Sequence, residues 1–124
     1  MKPLVKLMTL LGLPPVAGII LSVLLTSGTP LDLTELSRKT GYAKSHLSQT
    51  LKLLYAREIV DFYVERKKKY FIVNNQGLLK ALREHINNLI DSLNQLANLT
   101  ENPEFLKLYL ETFRDIKGEH NVRR

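Results

Sequence analysis

The sequence predicts a mainly α fold with a small β-hairpin wing (α+β): a winged helix-turn-helix followed by a long C-terminal helix. Three features predict it. Leu33 and Leu36 mark a short helix, Gly41 a tight turn, and Leu47, Leu51 and Leu54 a second helix whose apolar positions recur at intervals of four and three and so share one face. Val60 to Glu65 and Lys69 to Val73 then look like two strands joined across Arg66-Lys67-Lys68. From Asn75 the pattern becomes that of one long helix, in which Leu79, Leu82, Ile86, Leu89, Leu93 and Leu96 are spaced three, four, three, four, three, an a/d heptad seam.

The chain has 124 residues, enough for a core without staples. It has no Cys, which excludes disulfides and thiolate metal sites. His46, His85 and His120 stand far apart and form no ligand-spaced pair. The net charge of +6 is unevenly placed. Residues 1–30 hold Lys2 and Lys6 and no anion, residues 31–73 nine cations against five anions, and residues 74–124 seven of each. The excess thus gathers over the helix-turn-helix and hairpin, which points to an anionic polymer as partner, although charge alone leaves a merely solubilising surface equally open.

Taken in order, the apolar stretch Leu7 to Leu25 resembles a signal peptide or anchor only at first sight. Pro14 and Pro15 interrupt it, at about 3 kcal/mol for a proline inside a helix. The apolar part beyond them falls short of the ~20 residues that span a bilayer. Two helices are expected instead, one through Leu4, Leu7, Met8 and Leu11 ending near Gly12, the other from Pro14-Pro15 to about Ser27 with Val16, Ile19, Ile20, Val23 and Leu24 facing inward. No membrane is expected as a partner, and the chain is expected to be cytoplasmic. Ser27-Gly28-Thr29-Pro30 is a turn signal, and Asp32-Leu33-Thr34-Glu35 has the spacing of a capping box. Along the first strand Val60, Phe62 and Val64 alternate with Asp61, Tyr63 and Glu65, the pattern of a half-buried strand. Thr100 to Pro103 breaks the long helix, with Asn102 as cap. A last helix carries Phe105, Leu106, Tyr109, Leu110, Phe113 and Ile116, ending at Gly118 before a frayed tail to Arg124.

The segment Pro30-Leu31 through Val73, with its Gly-x-x-Lys-Ser-x-Leu-Ser pattern at Gly41 to Ser48, resembles the winged-helix domains of the MarR/ArsR type transcription regulators. Gly12-Leu13-Pro14-Pro15 leading into Ala17 to Leu25 is similar to the GbsR-like branch, so the resemblance covers residues 12–75. It implies double-stranded DNA as partner and a homodimer, and it leaves room for a small-molecule effector that no residue identifies. The sequence departs from the family at Ala43, where a hydroxyl-bearing helix cap is usual, and at Glu58, where glycine usually ends the helix. The hairpin is also shorter than in many members.

On this reading residues 1–74 form the winged helix-turn-helix and residues 75–124 a helical dimerisation region. Lys44, Ser45, His46, Ser48, Gln49 and Lys52 would face the major groove, where Gln bonds adenine bidentately and Ser and Lys serve phosphates or several bases. Arg66, Lys67, Lys68 and Lys69 crowd four cations on one loop, for which phosphates would supply counter-charges. Leu79, Leu82, Ile86, Leu89, Leu93 and Leu96 would pair two subunits, unless the last helix folds back to bury them. Two other functions use the same surfaces: a sequence-indifferent architectural DNA protein, and a winged helix that binds only proteins. Glu84-His85 and Glu119-His120 lack the three or four converging ligands of a metal site. No nucleophile–base pairing or Gly-rich phosphate loop is present, so neither cofactor nor enzymatic activity is expected.

Overall fold

Proline and glycine decide where the first helices divide. The computed structural model describes residues 2–99 and 101–122; Thr100, where the sequence predicts the interhelical break, and Arg123 and Arg124 of the expected tail lie outside them, as do the side chains of Lys2, Phe113 and residues 115–122. Helix α1 spans Lys2–Leu10 and α2 Pro15–Ser27, with Pro15 in the first turn, where a missing N–H costs nothing. They are followed by α3 (Leu33–Thr40), α4 (Lys44–Ala56), strands β1 (Val60–Glu65) and β2 (Lys68–Val73), α5 (Asn75–Leu99) and α6 (Pro103–Val122). Among the described residues no helix is long and apolar enough to cross a membrane.

The chain divides into two compact units, residues 1–85 and 86–124. In the first, α2 is the central element, packed by α1, α3, α4 and β2. The expectation of one inward face is too narrow. Val16, Ala17, Ile20, Leu21, Val23 and Leu24 are all buried, while Ile19 is only half-buried. A helix with neighbours on several sides must be apolar nearly all round. Its one buried hydroxyl, Ser22, donates to the Gly18 carbonyl at 2.8 Å. Gly18 itself admits α1: a Cβ there would lie 2.4 Å from the Val5 Cα, so the two backbones touch because no side chain separates them. Met8, Leu36, Leu47, Leu51, Leu54, Ile59 and Val60 complete the core.

The capping box at α3 forms as expected. Asp32 Oδ1 accepts from the Glu35 N–H at 2.8 Å, and Glu35 Oε1 accepts from the Asp32 N–H at 3.0 Å. Gly41 closes α3 in the left-handed conformation at φ 81°. Helix α4 then starts at Lys44 behind Ala43, with no side-chain cap, so Ser45 does not substitute for the missing hydroxyl. Its far end is a Schellman turn: the Ile59 N–H reaches the Leu54 carbonyl at 2.9 Å and the Glu58 N–H the Tyr55 carbonyl at 3.0 Å. Glu58 holds φ 61° to make it, and Leu54 and Ile59 are both fully buried beneath.

Strands β1 and β2 pair antiparallel from Val60 opposite Val73 to Glu65 opposite Lys68, so Lys68 belongs to the strand and only Arg66 and Lys67 form the loop. Both have positive φ, 52° and 67°, the signature of a two-residue turn whose twist matches that of the strands. Phe71 exchanges two backbone hydrogen bonds with Leu31, at 2.8 and 3.2 Å, which ties β2 to the residue just before the α3 cap. The expected alternation fails at Val64, which is 61% exposed, because no helix covers the hairpin that far out.

Asn74 starts α5. Its N–H donates to the Ile59 carbonyl, its Oδ1 accepts from Gly77 N–H at 2.9 Å, and its Nδ2 donates to Asp61 Oδ2 at 3.0 Å. Leu78, Ala81 and Leu82 then pack on the core of the first unit. In the second unit Asn102 Oδ1 accepts from the Glu104 and Phe105 N–H groups, the expected cap for α6. The Tyr109 hydroxyl bonds Asn94 Oδ1. Gly118 does not end α6, which runs to Val122; a glycine inside a helix costs about 1 kcal/mol and need not stop it.

Two substitutions test the α4–β1–α5 junction by thermal unfolding. Glu58→Gly removes the cost of a side chain in the left-handed region and, because the Glu58 side chain is exposed, is expected to stabilise by about 1 kcal/mol, a Tm rise of roughly 4 °C. Gly77→Ala is expected to destabilise by about 2–3 kcal/mol, since its Cβ would fall 1.6 Å from the Glu58 carbonyl oxygen and one backbone would have to move.

Candidate nucleic-acid interface

Helix α4 sorts its residues by angle. Leu47, Thr50, Leu51 and Leu54 are buried, so the direction opposite them is set by Ser45, Gln49 and Lys52, spaced i, i+4, i+7. Ser45, Gln49 and Lys52 are exposed, as are Lys44 in the first turn and His46. Ser48 is half-buried on the flank that faces the hairpin, and His46 lies on the opposite flank with its ring edge-on to Tyr42, centroids 5.3 Å apart. Thr50 needs no partner outside the helix, since its hydroxyl donates to the His46 carbonyl. The six predicted residues of this helix are thus not one row. Three face outward, Ser48 looks to the wing, His46 looks away from it, and Lys44 stands at the uncapped end.

Between this helix and the hairpin runs a groove of about 510 Å³. Ser48, Leu51, Lys52 and Tyr55 form its α4 wall, Phe62, Phe71 and Lys67 to Lys69 its hairpin wall, and Asp32, Leu33 and Thr34 its end at α3. Aromatic rings floor it: Phe62 lies 5.0 Å from Tyr55 and 5.8 Å from Phe71, centroid to centroid. The structure therefore brings Ser48 and Lys52 to the same depression as three of the four predicted wing cations, Lys67, Lys68 and Lys69.

Those cations differ in their surroundings. Lys69 Nζ sits 4.6 Å from the centre of the Phe62 ring, a cation–π contact within the hairpin. Lys68 Nζ lies 3.8 Å from Asp32 Oδ2, and Glu65 stands opposite Lys68 in the strand register. Arg66 and Lys67 occupy the turn itself, both exposed. Phosphate is accordingly not the only source of counter-charge at the tip. Sequence reasoning missed the Asp32–Lys68 pair and the aromatic floor. Asp32 was legible as a cap through one carboxylate oxygen, but the Leu31–Phe71 bridge that brings its other oxygen to the wing joins segments forty residues apart in the chain.

No family profile and no curated protein matches the sequence. Solved structures do. Over 97% of its length the chain superposes on 80% of a MarR-family transcriptional regulator from Silicibacter pomeroyi, with TM-score 0.53 and 21% identity. The transcriptional regulator BldR from Sulfolobus solfataricus gives 0.51 and 22% over 91% of this chain and 79% of its own, and a transcriptional regulator from Thermotoga maritima 0.52 and 21% over 96% and 85%. The fold is the MarR-type winged helix. Within that fold α4 is the second helix of the helix-turn-helix and β1–β2 the wing.

The predicted seam of the winged helix's long helix splits in two. Leu82 packs partly on the core of the first unit, and Leu93 is half-buried. Leu79, Ile86, Leu89 and Leu96 are exposed in the single chain, Ile86 and Leu89 to 56% each. Leu108 and Leu110 of α6 are exposed as well.

Replacing Asp32 tests how far the groove's end depends on one carboxylate. Asp32→Ala removes the α3 cap and the partner of Lys68 together and is expected to cost about 1–2 kcal/mol in urea unfolding, whereas Asp32→Asn keeps the cap and should cost far less.

Proposed function

We propose that the chain is a homodimeric, sequence-specific regulator of transcription that binds a pseudo-palindromic site in double-stranded DNA. The observation that carries this reading is the convergence of Ser48 and Lys52 of α4 with Lys67, Lys68 and Lys69 of the hairpin in one groove of the first unit. Ser45, Gln49 and Lys52 would enter the major groove, with Lys44, Ser48 and His46 at the margins and Gln49 the residue best suited to reading adenine. The open N–H groups of the α4 first turn, left without a side-chain acceptor behind Ala43, suit a backbone phosphate. Arg66 to Lys69 would hold the flanking backbone or minor groove. The name of each superposed protein, a transcriptional regulator, supports the same function at the level of fold.

Exposed leucines support the dimer. A helix whose Leu79, Ile86, Leu89 and Leu96 meet water in the single chain has a stripe that a second copy would cover. A two-fold dimer would present two α4 helices about 34 Å apart, one turn of duplex.

Two measurements test the proposal. Affinity for duplexes selected from a random pool is expected to exceed that for random competitor by at least about a thousandfold, and to fall steeply with salt. In Lys52→Glu with Lys67→Glu the slope of log affinity against log salt should flatten by about two. A specificity ratio near one would instead favour an architectural DNA protein, and no affinity at low salt a protein-binding one. In sedimentation at micromolar concentration the wild type should run as a dimer and Ile86→Glu with Leu89→Glu as a folded monomer, because both positions are solvent-facing within one chain.

A further inference from the structure

The four cations of the hairpin are not equivalent, and the difference follows from the register. Because Glu65 pairs with Lys68, the loop contains Arg66 and Lys67 alone, held with φ 52° and 67° at the extreme end of the wing. Lys68 is the first strand residue behind them. Leu31 pairs with Phe71 on the free edge of β2, so Asp32 follows along that edge beside Tyr70 and on the same face as Lys68, a diagonal cross-strand neighbour. The Asp32 carboxylate is therefore divided. Oδ1 caps α3 through the Glu35 N–H at 2.8 Å, and Oδ2 faces Lys68 Nζ at 3.8 Å. The residue is only 8% exposed, and its backbone is fixed by the capping box and by the adjacent Leu31–Phe71 bonds. Asp32 is thus a fixed anion beside the outer end of the hairpin, whereas the Lys68 side chain that faces it is 63% exposed.

We propose that Lys68 is a positioning residue, which fixes the attitude of the wing through Asp32, and that Arg66 and Lys67 are the wing's phosphate contacts. This rests on the DNA-binding reading above and refines it. A lysine that already faces a nearly buried carboxylate, with Glu65 opposite, releases few counterions when a phosphate approaches. One on the open turn releases its full share. The hairpin is two residues at its tip and is joined to the body on one edge by the Leu31–Phe71 bridge, so a small rotation at its base swings Arg66 and Lys67 the furthest.

The sign of one substitution separates the two roles. Removing an anion beside a phosphate-binding lysine tightens DNA binding, whereas removing the anchor of a positioned wing loosens it. Asp32→Asn does this without uncapping α3, because Asn caps as well as Asp. The experiment measures affinity for a labelled mixed-sequence duplex across a salt series, for the wild type, Lys67→Gln, Lys68→Gln, Lys68→Arg, Asp32→Asn and Asp32→Asn with Lys68→Gln. Lys67→Gln is expected to reduce the salt slope by about 0.9. Lys68→Gln and Asp32→Asn should each weaken binding about fivefold at every salt concentration with the wild-type slope, the double variant should be no worse than either, and Lys68→Arg should restore wild-type affinity. The inference is overturned if Lys68→Gln loses the same slope as Lys67→Gln, or if Asp32→Asn binds more tightly than the wild type. A wild type that binds no duplex at low salt overturns the DNA reading itself and this refinement with it, a result distinct from either of those.

Discussion

The chain reverses at Arg57-Glu58-Ile59, and much of the winged unit is placed by that reversal. Helix α4 must stop, and β1 must leave in a direction that lets Val60 enter the core while the hairpin rises beside the outward row of the helix. The Schellman bonds from Ile59 and Glu58 to Leu54 and Tyr55 achieve this by holding one residue in the left-handed region. That residue is Glu58, for which the conformation is unfavourable by about 1–2 kcal/mol. It persists because both sides of the turn are over-determined: Leu54 and Ile59 are buried without residual exposure, and the Ile59 carbonyl accepts the Asn74 N–H. The Glu58 carbonyl in turn approaches the Gly77 backbone so closely that α5 can begin there only with a glycine. Helix, wing and long helix thus share one corner. A shift of that corner would move the hairpin cations relative to Ser45, Gln49 and Lys52.

The same economy appears at the other end of the wing. Asp32 caps α3, its neighbour Leu31 supplies two backbone bonds to β2, and its second oxygen faces Lys68. The corner at Glu58 fixes the root of β1 and the Leu31–Asp32 pair fixes β2, so the two strands are held from opposite sides. Behind both lies α2, apolar nearly all round. Its small residue Gly18 lets α1 close against it, and Arg57 donates to the Leu11 carbonyl at 2.8 Å to join the ends of α1 and α4. Polar groups that reach the interior are satisfied locally, as with Ser22 and Thr50.

Much of this was legible in the sequence, because periodicity and caps are local. The helix boundaries at Pro15, Lys44 and Pro103, the capping box at Asp32, the turn at Gly41 and the hairpin all follow from residues within a few positions of one another. The departures have non-local causes. Ile19 and Leu21 exchange roles because several elements surround α2, which a single-stripe reading cannot anticipate. Val64 alternates correctly but extends past the body it would pack on. Gly118 resembles a terminator, yet a helix ends where its hydrogen bonds are intercepted, and α6 continues. At the candidate interface the helix and tip residues were identifiable by type. Their division into outward, flanking and internally engaged groups was not, since it depends on the register of β1 with β2 and on the Leu31–Phe71 bridge.

That division bears on how charge and shape share the work of the proposed DNA contact. A uniformly basic loop would attract any duplex, with affinity set by the number of phosphates neutralised. In this wing Lys68 and Lys69 face Asp32 and the Phe62 ring, which on the proposal above would leave less charge free to meet phosphate and would stiffen the strand that carries the turn. Stiffness matters to a reader of sequence. A wing that wanders adds the same electrostatic attraction to every register, whereas one held at a fixed attitude to Gln49 adds it only where the groove is aligned. On the proposed DNA-binding function, the internal pairing of two of the four cations would trade non-specific affinity for discrimination, and the net charge of +6 would bring the duplex near rather than choose it.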